Sequence, residues 1–410
     1  MLGKGALLTI FGFILAFSSY QVRLSNNVLA ASDNFNDQFV STMIHQTTLS
    51  SMNLAVNKVW AQNVDSDTFM VLANHCSCRA EISQVGQDTV KVKVKSWGNI
   101  YDEEYDAIVT RSDSVTAFFS NNMPISKYFW FTDEEQGVYW ITGDSVWGPV
   151  HTNGVINTSG SPVFFGKVTA HLGISPDPLS SSAHFYGGWE IGILNNIPTD
   201  MSYIINAANA GNGAAPMNTK CNYDTPVSFD FQADGSVIRT VQGNPPDTVL
   251  TSSIAPTEAI YSTADITVKG TFNGQLTIYS ATNIWIDDDL VYADDPLSNP
   301  NSDDILGLVA NNNIYVTENA TNNNDIHIQA CIMAKDGSFT AQNYDTRPVS
   351  GTLYMTGSIV QNKRGPVGTF SGGGIISGFY KRYRFDSRLS VQSPPNYPYI
   401  KSLSLVSWWE

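Results

Sequence analysis

The hydrophobic pattern of the first sixty residues differs from that of the rest of the chain. Residues 5–20 are mostly apolar, and apolar side chains then recur every three or four residues, the spacing of one α-helical face. No glycine lies between Gly12 and Gly86, and no proline occurs in the first 123 residues, so nothing here breaks a helix. The pattern predicts one helix from about Lys4 to Trp60, roughly 85 Å long at 1.5 Å per residue.

The apolar run has three interpretations. A plain membrane anchor is one, although the run is at the short end of the spanning range. A cleaved signal peptide is another, but the nearest acceptable cleavage site, at residues 28–30, lies well past the apolar core. The continuous stripe behind the run favours the third, a retained helix that leaves the membrane for a helix-packed assembly. The predicted assembly face comprises Leu7, Leu8, Phe11, Ile14, Phe35 and Phe39.

Beyond the helix, the pattern predicts β-structure. Residues 89–95 alternate between valine or threonine and lysine, which is typical of a strand with one buried face. Further on, segments starting at Asp265, Asn283, Asn313 and Asp325 share the order Asn or Asp, apolar, any residue, apolar. Short strands at a rung-like period favour a parallel β-solenoid, and an irregular β-sandwich is the alternative.

The predicted fold class is α+β, mainly β: a long N-terminal α-helix, a β-module and a parallel β-solenoid (β-helix) head. The predicted domains are a membrane or assembly helix (1–62), a small β-module (63–142), a solenoid-like domain (143–376) and a C-terminal cap (377–410).

Composition and charge reduce the number of function classes that fit this chain. Only 14% of the residues are charged and the formal net charge is −15, which argues against nucleic acid as a partner. The many aromatic, glycine and small polar residues are typical of secreted β-proteins. With one apolar helix, the short end that carries Lys4 is expected inside and the rest outside.

Four cysteines, Cys76, Cys78, Cys221 and Cys331, allow disulfides in an oxidising compartment. A bond from Cys76 or Cys78 to Cys221 is expected, while Cys331, within an apolar strand, is expected to be a buried thiol. His75 stands beside Cys76, but no second ligand pair completes a zinc site.

Candidate chemistry is sparse. No hydrolase, metalloprotease, phosphate-loop, dinucleotide or c-type haem motif is present, so no enzyme activity, haem or nucleotide cofactor is expected. His151 is expected to be structural. Asp287, Asp289 and Asp294 are close in sequence and offer the oxygen ligands that calcium takes, so calcium is the one cofactor considered. A solvated acidic loop without an ion is the alternative.

Several stretches resemble known bacterial proteins. Residues 4–8 (KGALL), with the apolar run and residues 51–55 (SMNLA), resemble the N-terminal segment of type IV pilus assembly proteins of the PilX minor-pilin kind. Other segments resemble an uncharacterised family of surface proteins that carry such an N-terminus ahead of a large β-domain; these are 148–154 (GPVHTNG), 161–169 (SPVFFGKVT), 304–310 (DILGLVA) and 380–389 (YKRYRFDSRL).

This resemblance implies a structural subunit of an extracellular pilus-like filament or envelope assembly. Its partners would be copies of itself and other pilin-like subunits, with the helix in the bacterial inner membrane before assembly. The glutamate usual at the fifth position of the mature pilin helix is not evident here. The alternative is a membrane-anchored surface β-solenoid that binds or cleaves glycans, which a groove lined by Trp, Tyr and paired acids would favour.

Overall fold

The computed structural model describes residues 2–62, 64–85, 89–102, 107–371 and 374–410. These residues form one long helix, a few short helices and many strands, so the fold is α+β and mainly β, as predicted.

The elements follow one another along the chain in this order. The first are α1 (Leu2–Gln62), β1 (Asp67–Ala73), β2 (Cys76–Gln84), β3 (Thr89–Asp102) and β4 (Ala107–Pro124). A 3-10 helix (Ile125–Lys127) precedes β5 (Trp130–Glu134), β6 (Tyr139–Ile141), β7 (Ser145–Val146), β8 (Val150–Thr152), β9 (Val155–Ser159), β10 (Val163–Phe164), β11 (Val168–Ala170), β12 (Gly173–Ser175), β13 (His184–Phe185) and β14 (Trp189–Ile191). Next come α2 (Ser202–Asn212), β15 (Asn222–Tyr223), β16 (Val227–Phe231), β17 (Ser236–Val241), β18 (Asp247–Leu250), α3 (Thr251–Ile254), β19 (Ala259–Ser262), β20 (Ile266–Phe272), β21 (Gln275–Ser280) and β22 (Ile284–Tyr292). The last are β23 (Ile305–Ala310), β24 (Ile314–Val316), β25 (Ile326–Ala334), β26 (Phe339–Ala341), β27 (Val349–Lys363), β28 (Gly368–Ser371), β29 (Gly374–Phe385), a 3-10 helix (Ser387–Ser390) and β30 (Tyr399–Trp409).

Two compact units divide the chain. One contains Met1–Met123 and Lys401–Glu410, and the other contains Pro124–Ile400. We call them the helix unit and the large β unit.

In the helix unit, α1 runs without a break over Leu2–Gln62, which confirms the predicted long helix. Within the described residues, α1 alone is long and apolar enough to cross a membrane, judged by length and composition.

The C-terminal part of α1 packs on a sheet with strand order β1-β2-β3-β4-β30, in which β1 to β4 pair antiparallel. The valines of β3 point into this interface, as their alternation with lysine predicted. The buried helix residues are Ile44, Thr47, Thr48, Ser51, Met52, Ala55 and Val59. Apolar residues at three- and four-residue spacing supply part of this face, since Met52 and Val59 are buried and Leu49 and Val56 pack partly buried against the same core. The buried threonines and Ser51 make the face wider than the apolar spacing predicted.

Hydrogen bonds within the helix explain how residues with hydroxyl groups can share this buried face. The Oγ1 atoms of Thr47 and Thr48 donate to the carbonyls of Met43 and Ile44, four residues earlier, at 2.8 and 2.9 Å. A threonine that hydrogen-bonds within its own helix can face a core without an unsatisfied polar group. A pattern based on apolar residues alone does not predict that such positions are buried.

The large β unit contains many parallel strand pairs, together with the antiparallel pairs β16–β17, β17–β18 and β28–β29. The strands β5, β8, β11 and β14 pair successively, as do β6, β9 and β12, and β7 with β10 and β13. A second run pairs β15 with β19, then β21, β23, β25 and β27, and β27 continues into β5. Along this run the following buried residues lie directly opposite one another: Ile260, Ile278, Leu308, Ile332, Ile359, Trp130, Val150 and Val168.

Three of the four predicted repeat starts stack in register. Ile266 of β20, Ile284 of β22 and Ile314 of β24 are Cα partners, and the residues before them are hydrogen-bonded in a ladder. The amide Nδ2 of Asn283 donates to Oδ1 of Asp265 at 3.2 Å, and the backbone N–H of Asn313 donates to Oδ1 of Asn283 at 3.2 Å. The fourth start precedes β25, which pairs with the end of β22, with β23 and with β27, so Ile326 lies outside this column.

The unit boundaries differ from the predicted domains. Strands β5 and β6, placed in the small β-module (63–142), belong to the large β unit because β5 pairs with β27 and β8. Residues 377–410 are not a separate cap, since β29 pairs with β27 and the last ten residues join the helix unit. The assembly helix (1–62) is not a separate domain either, because its C-terminal part shares the core of the sheet.

The predicted disulfide is wrong, since all four cysteines are free and buried. Cys78 faces α1, with Sγ 2.6 Å from Oγ of Ser96. Cys221 lies in the other unit and donates from Sγ to the carbonyl of Ile254 at 3.3 Å. Cys331 is a buried thiol, as expected, and burial raises its pKa.

Candidate functional site

The first candidate site is the exposed apolar half of α1. The six predicted assembly residues are exposed, from 57% for Ile14 to 75% for Leu8. All residues from Gly5 to Phe39 are exposed, and the first partly buried residue is Val40. A continuous apolar surface of this length is expected to be covered by lipid or protein in the working state.

Phe35 and Phe39 extend this surface beyond the apolar run. Their rings stack with centroids 6.4 Å apart and an interplanar angle of 18°, on one face of the helix. They are 70% and 60% exposed, so neither packs on the sheet of its own unit. Only five residues later, at Ile44, the helix becomes buried. The exposed apolar surface and the surface that packs on the sheet are therefore adjacent but separate along α1.

Polar contacts fix the second half of α1 to its sheet. His45 Nδ1 lies 2.9 Å from Oδ2 of Asp113, and Lys58 Nζ lies 2.7 Å from Oδ2 of Asp67. The hydrogen bond from Lys58 lowers the pKa of the Asp67 carboxyl, and that carboxylate accepts from the backbone of Thr68 as well. The helix is thus held at both ends of its buried segment.

The second candidate site is the predicted calcium site. Oδ1 of Asp287 accepts from the amide of Asn319 at 3.0 Å, and Oδ1 of Asp289 accepts from the backbone of His327 at 2.7 Å. Oδ2 of Asp294 accepts from the amide of Asn299 at 2.6 Å. Each carboxylate thus has its own local partner. Among the residues that the structure describes, no group of three His, Cys, Asp or Glu side chains is arranged to hold a metal ion.

The acidic loop is the connection between β22 and β23, residues 293–304; Asp294 lies in it, whereas Asp287 and Asp289 lie in β22. The loop has a structural carboxylate that the sequence did not single out. Asp304 is 2% exposed, and its two oxygens accept from the backbone N–H groups of Gly274 at 2.6 Å and Asp294 at 2.8 Å. A buried carboxylate that receives two backbone donors ties two chain segments together. Asp304 therefore closes the base of the loop.

His151 is structural. It is fully buried, Nε2 donates to Oδ1 of Asn153 at 2.9 Å, and Nδ1 lies 2.7 Å from Oγ1 of Thr169. Burial lowers the pKa of the imidazole, which favours the neutral form that this network needs. Both ring nitrogens are engaged, so none is free for a substrate.

The third candidate site is a groove in the large β unit. The sequence analysis did not predict which residues line it. It has a volume of about 710 Å³ and is lined by side chains from β22, β25, β27 and β29 and the acidic loop. Its lining includes Trp147, Asp295, Leu297, His327, Gln329, Tyr354, Thr356, Arg382, Tyr383 and Arg384. The only signal for this groove in the sequence is the run of aromatic and basic residues at 380–385, which lies in the segment predicted to be a C-terminal cap.

The comparisons with known proteins give one distant likeness. No family model and no curated protein matches the chain. Among solved structures, the chain is similar to the competence-associated pilin ComZ from Thermus thermophilus, with 11% sequence identity and a TM-score of 0.37. The match covers 89% of this chain and 96% of that one.

Proposed function

We propose that the chain is a structural subunit of an extracellular pilus-like filament or envelope assembly, polymerised through α1 and displaying the large β unit. The observation that carries this proposal is that the apolar side chains in the N-terminal half of α1 are all exposed, next to a half that is packed in its own unit. A simple anchor needs only a span and a linker. Here the helix continues past the span with Phe35 and Phe39 still uncovered.

The helix resides in the membrane before assembly and in a bundle of helices afterwards. Its partners are other copies of this chain, or other pilin-like subunits with the same kind of helix. In the assembly, burial of the apolar side chains contributes about 25 cal/mol per Å² of covered apolar surface. The N-terminal end lies on the cytoplasmic side of the bacterial inner membrane and the units lie outside.

We further infer that the large β unit is a parallel β-solenoid. Support comes from the stacked parallel strands, from the apolar residues that repeat in register and from the Asp265–Asn283–Asn313 ladder. Repeated polar side chains at the turns of stacked strands are expected of a coil whose rungs contact only their neighbours. Such a unit is rigid and suits display on a filament.

Substitutions in the apolar half of α1 test the assembly. Phe11→Asp or Ile14→Asp should abolish filaments, because a carboxylate at the centre of an apolar helix costs about 2.5–3.5 kcal/mol on the insertion scale. The double variant Phe11→Ala/Ile14→Ala keeps the segment apolar but removes packing atoms, so it should insert and assemble poorly. Leu179→Asp, at an 86% exposed position of the large β unit, is the matched control.

The measurement is electron microscopy and immunoblotting of material sheared from cells, with membrane fractionation to follow insertion. Wild-type protein and the Leu179 variant should yield filaments, and the helix variants should not. The proposal fails if the Phe11 and Ile14 variants assemble like wild type, or if intact wild-type protein stays monomeric in membranes.

A further inference from the structure

We propose that the groove of the large β unit binds an acidic oligosaccharide, a short chain of sugars that carry carboxylate groups. This inference goes beyond the proposed assembly, and neither depends on the other.

Aligned side chains on adjacent strands form the floor of the groove. His327 of β25, Tyr354 of β27 and Arg382 of β29 are successive Cα partners. The rings of His327 and Tyr354 stack with centroids 4.6 Å apart and an interplanar angle of 4°. Because the two rings cover one face of each other, the column lines the floor with ring edges and a neighbouring guanidinium.

A second column lies two residues further along the same strands. Gln329, Thr356 and Arg384 are successive Cα partners, and Arg384 forms a β-bridge with Trp147. Neighbouring strands are about 4.8 Å apart, so a floor of several strands is on the order of 10–15 Å long. That length suits a few linked rings rather than a single sugar.

The charges in the groove point to an anionic ligand. Arg382 and Arg384 are both exposed, and within the described part of the chain neither has an acidic side chain at ion-pair distance. Asp295 is the single carboxylate among the lining residues, and its Oδ1 already accepts from Gln329 Nε2 at 2.9 Å and from the backbone of Leu297 at 3.0 Å. The two guanidinium groups are therefore available to a ligand.

The combination of groups selects the ligand class. A guanidinium pairs with a carboxylate through two parallel hydrogen bonds, which is a strong and directional contact. Trp147 and Tyr354 each have one ring face stacked on a neighbouring ring, of Phe165 and His327, and their remaining exposed ring surface can contact the apolar C–H groups of a sugar. Gln329 and Thr356 can meet its hydroxyls. Beyond about 8 Å at physiological salt, the net negative charge of the protein is screened, so it does not prevent a local contact.

Nucleic acid fits less well. Its binding rests on neutralising several phosphates, and the described lining contains two arginines and no lysine, on a chain of net charge −15. Cleavage of the glycan also fits less well, because glycoside hydrolysis uses a pair of carboxylates and the described lining has only Asp295. The groove is thus proposed as a binding site.

Titration calorimetry on the full-length protein in detergent tests the proposal. The probes are tetramers of galacturonate, glucuronate and mannuronate, each with its fully methyl-esterified form as a neutral match. At least one acid should bind, and its ester should bind about tenfold more weakly or worse, since the ester loses the paired charge.

Variants locate the site. Arg382→Ala, Arg384→Ala and Tyr354→Ala should each weaken binding of the acid about tenfold, with unchanged thermal unfolding because these side chains are exposed. Arg79→Ala, at an exposed arginine of the helix unit, should bind like wild type. Arg384→Lys should bind more weakly than wild type, because lysine keeps the charge but loses the two-pronged contact.

Several outcomes would overturn the proposal: no binding of any acid, equal binding of acid and ester, or wild-type affinity in both arginine variants. Tighter binding of a single-stranded oligonucleotide would also overturn it, and new reducing ends would show cleavage in place of simple binding. All measurements use unassembled protein, so failure here leaves the filament proposal intact, and the reverse holds too.

Discussion

Arg364 donates a hydrogen bond from Nη1 to Oε2 of Glu135 across 2.7 Å, although 229 residues separate them in the chain. Both side chains are buried, with 2% and 3% of their surface exposed. The guanidinium also lies over the ring of Trp140, 4.2 Å from its centroid. The pair joins the end of β27 to the segment after β5, at the place where the late strands of the large β unit pair with the early ones.

Arg364→Ala should destabilise the protein by about 3–5 kcal/mol, because it leaves the Glu135 carboxylate buried without its partner. Thermal and urea unfolding of the full chain in detergent measure the effect. Arg79→Ala breaks an exposed pair with Glu81 and should cost at most about 1 kcal/mol. The double variant Arg364→Met/Glu135→Leu should recover part of the loss. A loss for Arg364→Ala no larger than for Arg79→Ala would contradict this assignment.

Acidification should weaken the large β unit through His151. Burial lowers the pKa of His151 in the folded chain, whereas the unfolded chain has the ordinary value of about 6.5. Below that pH the unfolded state binds a proton that the folded state does not, so stability falls as pH falls. The loss attributable to this residue is up to about 1.4 kcal/mol per pH unit.

The comparison that isolates this effect is His151→Gln, which keeps polar atoms but removes the titrating ring. Stability measured by urea unfolding between pH 7.5 and pH 5 should fall less steeply in the variant than in wild type. Equal slopes in the two proteins would show that His151 does not cause the acid sensitivity.

Calcium binding stays a prediction of the sequence, and a thermal titration decides it. If the predicted site at Asp287, Asp289 and Asp294 binds the ion, millimolar calcium raises the melting temperature of the full chain and EDTA reverses the shift. Asp289→Asn should then remove the shift, while Asp177→Asn, an acidic residue outside that site, should not. No shift with calcium in the wild-type protein would end the calcium hypothesis.

The sequence predicted the elements that depend on local pattern. The long helix was predictable because no glycine or proline interrupts it, and α1 ends at Gln62, close to the expected Trp60. The repeat starts at Asp265, Asn283 and Asn313 were predictable because stacked strands repeat the same side chains in register.

Features that depend on distant parts of the chain were not predictable. His327, Tyr354 and Arg382 belong to three different strands and Trp147 follows β7, and no common spacing marks them as neighbours in one groove. The pairing of β27 with β5 joins residues more than two hundred positions apart, and no local signal precedes it. The disulfide prediction was wrong for the same reason, because the presence of four cysteines suggested a bond and the fold leaves all four free.

The two halves of α1 should respond differently to substitution, and this separates assembly from folding. Met52 is 1% exposed and packs on the sheet, so Met52→Ala should cost about 2–5 kcal/mol of stability. Phe39 lies on the exposed face, so Phe39→Asp should leave the melting temperature unchanged while it reduces the yield of sheared filaments. Leu54→Ala, at an exposed position two residues from Met52, is the control for stability.

Thermal unfolding in detergent and the amount of sheared filament are measured for each variant from the same culture. The Phe39 variant should lose filaments with normal unfolding, because its side chain contributes nothing to the core of the helix unit and, by our proposal, contacts a neighbouring subunit. The Met52 variant should unfold at a lower temperature. If Phe39→Asp lowered the melting temperature as much as Met52→Ala does, or assembled at the wild-type yield, the division of α1 into a folding half and an assembly half would be wrong.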